Sequence, residues 1–173
     1  MMTYKEWDAT EYIRDLTERN RLAQQEECKF ALVSGWEGLT EVIQNMRKHK
    51  AFVAIDETAE SMTHKVGAGY FETKVHTVFL LMRYKALDEE DRLAKLRICR
   101  EIMRQFQAKM IIDAEQLAAA TIYLDSDFQA REIGRIILNG LTGLYFTFSF
   151  DRPQELVLKA DDWDNPFVTY GSR

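Results

Sequence analysis

Residues 71–82, Phe-Glu-Thr-Lys-Val-His-Thr-Val-Phe-Leu-Leu-Met, constrain the fold more than any other stretch of the chain. The first half alternates. Phe71, Thr73, Val75 and Thr77 fall on one side of an extended backbone, and Glu72, Lys74 and His76 on the other. Successive side chains of a strand point to opposite faces, so this half reads as a strand with one wet face. Past Thr77 the alternation ends, and Val78-Phe79-Leu80-Leu81-Met82 is apolar on both faces. Such a strand should emerge from a half-wet edge region into a position covered on both sides.

The rest of the chain supplies partners and covers. Leu144, Phe146, Phe148 and Phe150 alternate with Tyr145, Thr147 and Ser149, which predicts a second long strand, with Asn139-Gly140 and Gly143 as the turn before it. Shorter strands are expected at Phe30-Ala31-Leu32-Val33, Phe52-Val53-Ala54-Ile55 and Thr121-Ile122-Tyr123-Leu124, and over residues 128–137. Residues 58–69 read as a loop or the tip of a long hairpin, with Gly67-Ala68-Gly69 near its end. A first helix is expected from Asp8, paired with Glu11 in a capping-box-like arrangement, to about Glu27, with Tyr12, Ile13, Leu16 and Ala23 at helical spacing. A short helix carries Leu39, Val42, Ile43 and Met46. The longest opens at the acidic run Asp88-Glu89-Glu90-Asp91, where the positive end of the helix dipole favours carboxylates, and ends by about Ala119. Its stripe is Leu96, Cys99, Met103, Phe106 and Met110, widened by Leu93 and Ile102. This order predicts an α+β fold: a mostly antiparallel or mixed sheet packed by one long helix plus an N-terminal helix. With 173 residues, and with Pro153 and Pro166 its two prolines, the chain is read as one domain over 1–173. Residues 153–173 are expected to be a tail held to that domain by Trp163 and Phe167.

Composition excludes several classes. Ten Phe, seven Tyr and three Trp argue against disorder, and a net charge of −5 argues against broad binding to nucleic acid. The basic run Arg47-Lys48-His49-Lys50 reads as a solvated helix end. Cys28 and Cys99 both fall in helix-like segments, and Cys99, among Ile98, Ile102 and Met103, reads as a buried thiol. No apolar run is long enough to cross a membrane and the first residues lack an apolar signal core, so a cytoplasmic protein with no membrane partner is expected.

No residue is assigned to catalysis, cofactor or metal. His49 and His64 are expected at a helix end and in a loop, and His76 on the polar face of its strand beside Lys74 and Glu72. Nucleophilic catalysis needs a base held against a nucleophile, and no pattern here sets one up. Asp125-Ser126-Asp127 and Asp161-Asp162-Trp163-Asp164-Asn165 are rich in oxygen ligands but lack the calcium loop's glycine and terminal glutamate. Gly67-Ala68-Gly69 lacks the helix and the Lys-Ser/Thr of a phosphate loop.

The whole-chain order does carry a resemblance. An amphipathic N-terminal helix precedes two short strands and a loop. The long strand at residues 69–80 feeds a long charged helix, and the chain closes with Asn-Gly-Leu-Thr-Gly-Leu-Tyr-Phe-Thr-Phe-Ser-Phe at 139–150. This resembles the small α+β proteins of phage and prophage tail modules, in particular tail terminator and tail completion proteins, and is similar to proteins of Bacteroides-type mobile elements. The resemblance implies a non-enzymatic structural protein that forms a homo-oligomeric ring or connector with other phage proteins, through sheet edges and a protruding loop. Met62, His64, Tyr70, Glu72, Lys74 and His76 are the interface residues it implies. A small ligand-binding or regulatory module, and a hydrolase using His76 with Glu72 or Asp125, are the alternatives.

Overall fold

A computed structural model describes residues 7–45, 47–133 and 140–164, with Trp36 described in its backbone only. Helix α1 (Ala9–Arg19) starts where the Asp8 carboxylate accepts from the backbone N–H groups of Thr10 at 2.7 Å and Glu11 at 3.4 Å. These donors have no partner inside a helix, so the cap stabilises the first turn. The single helix expected as far as Glu27 breaks at Asn20. There the backbone turns extended (ψ 119°), and the side chain accepts from Ala23 N at 2.8 Å, capping α2 (Arg21–Gln25). Asparagine offers the backbone this local alternative to helix. Cys28, expected in a helix, opens β1 (Cys28–Val33) instead, after Glu27 reverses the chain with a φ of 56°.

Helix α3 (Gly35–Asn45) leads to β2 (Ala51–Asp56), β3 (Glu60–Val66) and β4 (Gly69–Arg83). Helix α4 (Glu89–Ala119) follows, capped by Asp88, whose side chain accepts from Asp91 N at 2.9 Å. The chain then forms β5 (Tyr123–Leu124), β6 (Gln129–Ile133), β7 (Leu141–Gln154) and a 3₁₀ turn at Ala160–Asp162. The strand expected over 128–137 is seen as far as Ile133, and its remainder, like Met46, Asn139 and Phe167, lies outside the described residues.

The seven strands form one mixed sheet in the order β1-β2-β4-β7-β5, with β3 also on β4 and β6 also on β7. β1 and β2 are parallel and the other pairs antiparallel. β4 and β7 run together from Tyr70 opposite Gln154 to Arg83 opposite Leu141. On its other flank β4 meets β2 at residues 78–82 and β3 at residues 69–75. β4 is therefore paired on both flanks along most of its length, the gap between β3 and β2 falling at residues 76–77. The edge character expected of its first half is corrected, because a strand's hydrogen-bonding flanks are independent of which of its faces is wet. Residues 58–69 are the hairpin alternative: Val66 pairs with Gly69 around Gly67-Ala68, and Gly67 takes the φ of 59° that a two-residue turn needs.

Both faces of the sheet are covered where the sequence turns apolar. On one, α1 and α4 lay Ile13, Leu16, Ile102, Phe106 and Met110 against Val78, Leu80, Met82, Phe146 and Phe148. On the other, Leu39 of α3 packs with Phe52, Ala54, Phe79 and Leu81. The buried stripe of α4 is Leu96, Cys99, Ile102, Phe106 and Met110, while Leu93, expected to widen it, is 38% exposed.

Three further expectations are corrected. Gly143 lies inside β7, not in the turn ahead of it. β7 continues through Pro153, which sits opposite Phe71 beyond the stretch that β5 and β6 pair, so its missing N–H falls near the end of the ladder. Residues 155–164 are exposed, Trp163 among them at 63%, so the described part of the tail is not packed down. No helix among the described residues is long and apolar enough to cross a membrane.

Candidate functional site

The six residues implied as an interface occupy two faces, because the β3–β4 register pairs odd residues of one strand with even residues of the other. Met62 and His64 stand opposite Thr73 and Phe71 on one face. Tyr70, Glu72, Lys74 and His76 share the other. Met62 is 62% and Tyr70 41% exposed, and Val66, which sequence reading missed, is 53% exposed. Its signal was present: it continues the alternation Met62, His64, Val66 up to the hairpin loop.

On the second face, Glu72 is gripped by Arg152 directly opposite it on β7, with Nε and Nη2 each donating at 2.8 Å, and Lys74 Nζ lies 3.9 Å away. A fork-shaped guanidinium on a carboxylate joins the two longest strands beyond the reach of the apolar core. His76 is not on a wet surface. It is 8% exposed and stacks on Phe148 (centroids 5.6 Å, planes 23° apart) and Phe150 (5.8 Å, 6°). Trp7, just ahead of α1, meets Phe150 edge-on at 4.6 Å. The start of α1 thus closes over this part of β4, a cover that local alternation cannot reveal.

His76 Nδ1 has no hydrogen-bond partner. Burial pushes the imidazole pKa below its ordinary value and Lys74 adds to this, while a hydrogen bond to the Asp56 backbone and the Asp8 and Asp56 carboxylates oppose it. The folded protein therefore holds the ring neutral where the unfolded chain, titrating near 6.5, begins to bind a proton. The sign follows: His76's contribution to stability is complete above about pH 6.5 and is lost as pH falls from there through the lowered folded value. His76→Phe keeps the stacking and removes the titration. Urea unfolding of both proteins at several pH values should give a flatter stability–pH curve for the variant on the acid side. Parallel curves would mean that the buried ring is not held neutral.

The first face carries an open polar groove lined by Met62, His64, Thr73, Tyr123, Asp125, Ser149 and Asp151. Thr73 Oγ1 donates to Asp151 Oδ1 at 2.5 Å and lies 3.3 Å from His64 Nδ1, while His64 Nε2 is 3.9 Å from Asp151 Oδ2. Ser149 Oγ donates to Asp125 Oδ2 at 3.5 Å. The hydroxyl stands between carboxylate and imidazole. A nucleophile relay needs the imidazole in the middle, taking the hydroxyl proton while the carboxylate orients it. Here the Thr73 proton is directed at Asp151, so the arrangement ties β3, β4 and β7 together. The hydrolase pairing of His76 with Asp125 is corrected: Asp125 bonds Ser149 on the groove face, and His76 is on the opposite face of the sheet.

Other chemistry is weakly supported. Burial pushes the Cys28 thiol up to about 12 and raises that of Cys99, which disfavours the nucleophilic thiolate. Among the described residues no group of three or more His, Cys, Asp or Glu is placed to hold a metal ion. A cleft between α1 and α4, lined by Asp15, Arg19, Asn20, Gln105, Phe106 and Lys109, measures about 220 Å³. What the site region offers most clearly is surface: an edge strand, exposed apolar side chains and ion-paired reinforcement behind them. A scan against protein-family models and a search of curated proteins return no match to this chain.

Proposed function

We propose that this protein is a structural component of a phage or prophage tail module, acting without catalysis or cofactor through contacts with copies of itself and with neighbouring tail proteins in a ring or connector. The observation that carries this reading is the β3–β4 hairpin. No residue of β3 and none of residues 69–75 belongs to either apolar core. The hairpin nonetheless continues the sheet, is braced from behind by β7, and displays Met62, Val66 and Tyr70 to solvent. β3 pairs with β4 alone among the described strands, so its outer row of N–H and C=O groups is open. Natural proteins cover or blunt such edges unless another chain completes them.

Light scattering on the purified chain should return a defined oligomer, or one that forms when a tail-tube protein from the same genome is added. A monomer at every concentration, alone and with that protein, would contradict the proposal. The coding neighbourhood gives a second check, with capsid, portal or tail-tube genes expected beside this one.

A further inference from the structure

We infer that the outer edge of β3 joins two copies of this chain by antiparallel strand pairing about a two-fold axis at Met62. The inference rests on the self-association proposed above and adds the surface, the symmetry and the register; a two-fold contact closes on a pair of chains, so a ring or connector is built from such pairs through their other surfaces.

The hairpin geometry decides which groups are available. Val66 and Gly69 close a two-residue loop, so they exchange both of their backbone hydrogen bonds. Every second residue back along β3 does the same: Glu60, Met62, His64 and Val66 direct N–H and C=O at β4. Ser61, Thr63 and Lys65 direct theirs outward, where no described strand meets them. A second β3 laid antiparallel against this edge offers the same three residues.

A two-fold axis perpendicular to the sheet keeps each side chain on its own face, so even residues meet even and odd meet odd. One register is centred on the strand, with Thr63 on the axis, and two lie one residue to either side; of those, the one with His64 on the axis sets the two imidazoles against each other and leaves Glu60 opposite the hairpin loop. With Thr63 on the axis, Glu60 faces Val66 and Lys65 faces Ser61, which leaves each charge without an opposite. With Met62 on the axis, Glu60 of each copy faces His64 of the other, Ser61 faces Thr63, and the two Met62 side chains cover one another. A carboxylate facing an imidazole N–H that can donate to it, and an apolar pair directly across a ladder, are stabilising combinations. The Met62-centred register also gives the 62%-exposed methionine an apolar partner. His64 keeps its place beside Thr73 and Asp151 in this arrangement, so the groove wall becomes part of the contact.

The test is sedimentation equilibrium on the full chain and its variants. Thr63→Pro removes an outward N–H and leaves the β3–β4 ladder intact, so it should abolish the pair while the fold, followed by circular dichroism, persists. Where that variant fails to fold, the charge variants decide. His64→Glu sets two glutamates against one another at both symmetry-related positions and should weaken association about tenfold or more. Glu60→Lys combined with His64→Glu sets opposite charges against one another in this register alone and should recover it. Association unchanged in folded Thr63→Pro and in His64→Glu overturns the edge while leaving the proposed function standing. Weakening without recovery in the double variant overturns the register. A monomeric wild-type protein, with or without a tail-tube protein, overturns both proposals.

Discussion

Gly143→Ala should destabilise the protein by about 3–5 kcal/mol, enough to remove most of the stability of a marginally stable chain. Gly143 lies in β7 opposite Leu81, with a φ of 155° that side-chain-bearing residues rarely adopt. A Cβ built there would sit 1.9 Å from the carbonyl oxygen of Leu80 and 3.0 Å from both Leu80 C and Leu81 Cα. These are backbone atoms of the central strand, so no rotamer change relieves the clash. β4 and β7 would have to separate where Leu80, Leu81 and Leu144 are each 1% exposed. Urea denaturation of a soluble fraction, or its failure to appear in one, is the readout. A midpoint within the equivalent of about 1 kcal/mol of wild type would mean that the two strands do not approach so closely here.

Phe146→Ala should cost about 3–5 kcal/mol, the range for deleting a buried aromatic ring. Phe146 is 0% exposed, stands opposite Val78 and lies in the larger core beneath α1 and α4. Its removal forfeits the transfer energy of the ring and leaves a cavity that two long strands and a 31-residue helix cannot easily collapse. The contrast is Leu158→Ala in the exposed tail. Leu158 is 50% exposed, and its truncation should change stability by less than about 0.5 kcal/mol. Comparable losses at the two positions would show that the tail packs on the domain after all.

Both effects trace to positions whose environment was unevenly legible beforehand. Phe146 was placed correctly by alternation alone, because a strand repeats every two residues and the apolar set points one way. Gly143 reads locally as part of a turn, since glycine near Asn139-Gly140 is turn chemistry and nothing local says that another backbone approaches it. The break at Asn20 is of the same kind. The apolar spacing from Tyr12 to Ala23 is continuous, and it took the Asn20 side chain's bond to Ala23 to divide the helix.

The candidate surface shows the same division. Alternation identified Glu72, Lys74 and His76 as polar residues of one face, and they share it. It did not reveal that Arg152, distant in sequence, grips Glu72, or that the start of α1 and Trp7 seal His76 between phenylalanines. Nor did it place Met62 and His64 on the opposite face, which follows from the hairpin register.

The doubly apolar half of the long strand, with which the chain's constraints begin, was determined by sequence alone. Residues 78–82 demand cover on both sides whatever supplies it, because the cost of exposing apolar surface is a property of the side chains and their period. The tertiary structure decided which elements supply that cover. It put α1 and α4 on one face and α3 on the other, paired both halves of the strand on both flanks, and left β3 with an open flank among the described strands. Which flank of a strand finds a partner is set by hydrogen bonds between segments far apart in the chain, and the backbone groups that make them are the same at every residue but proline.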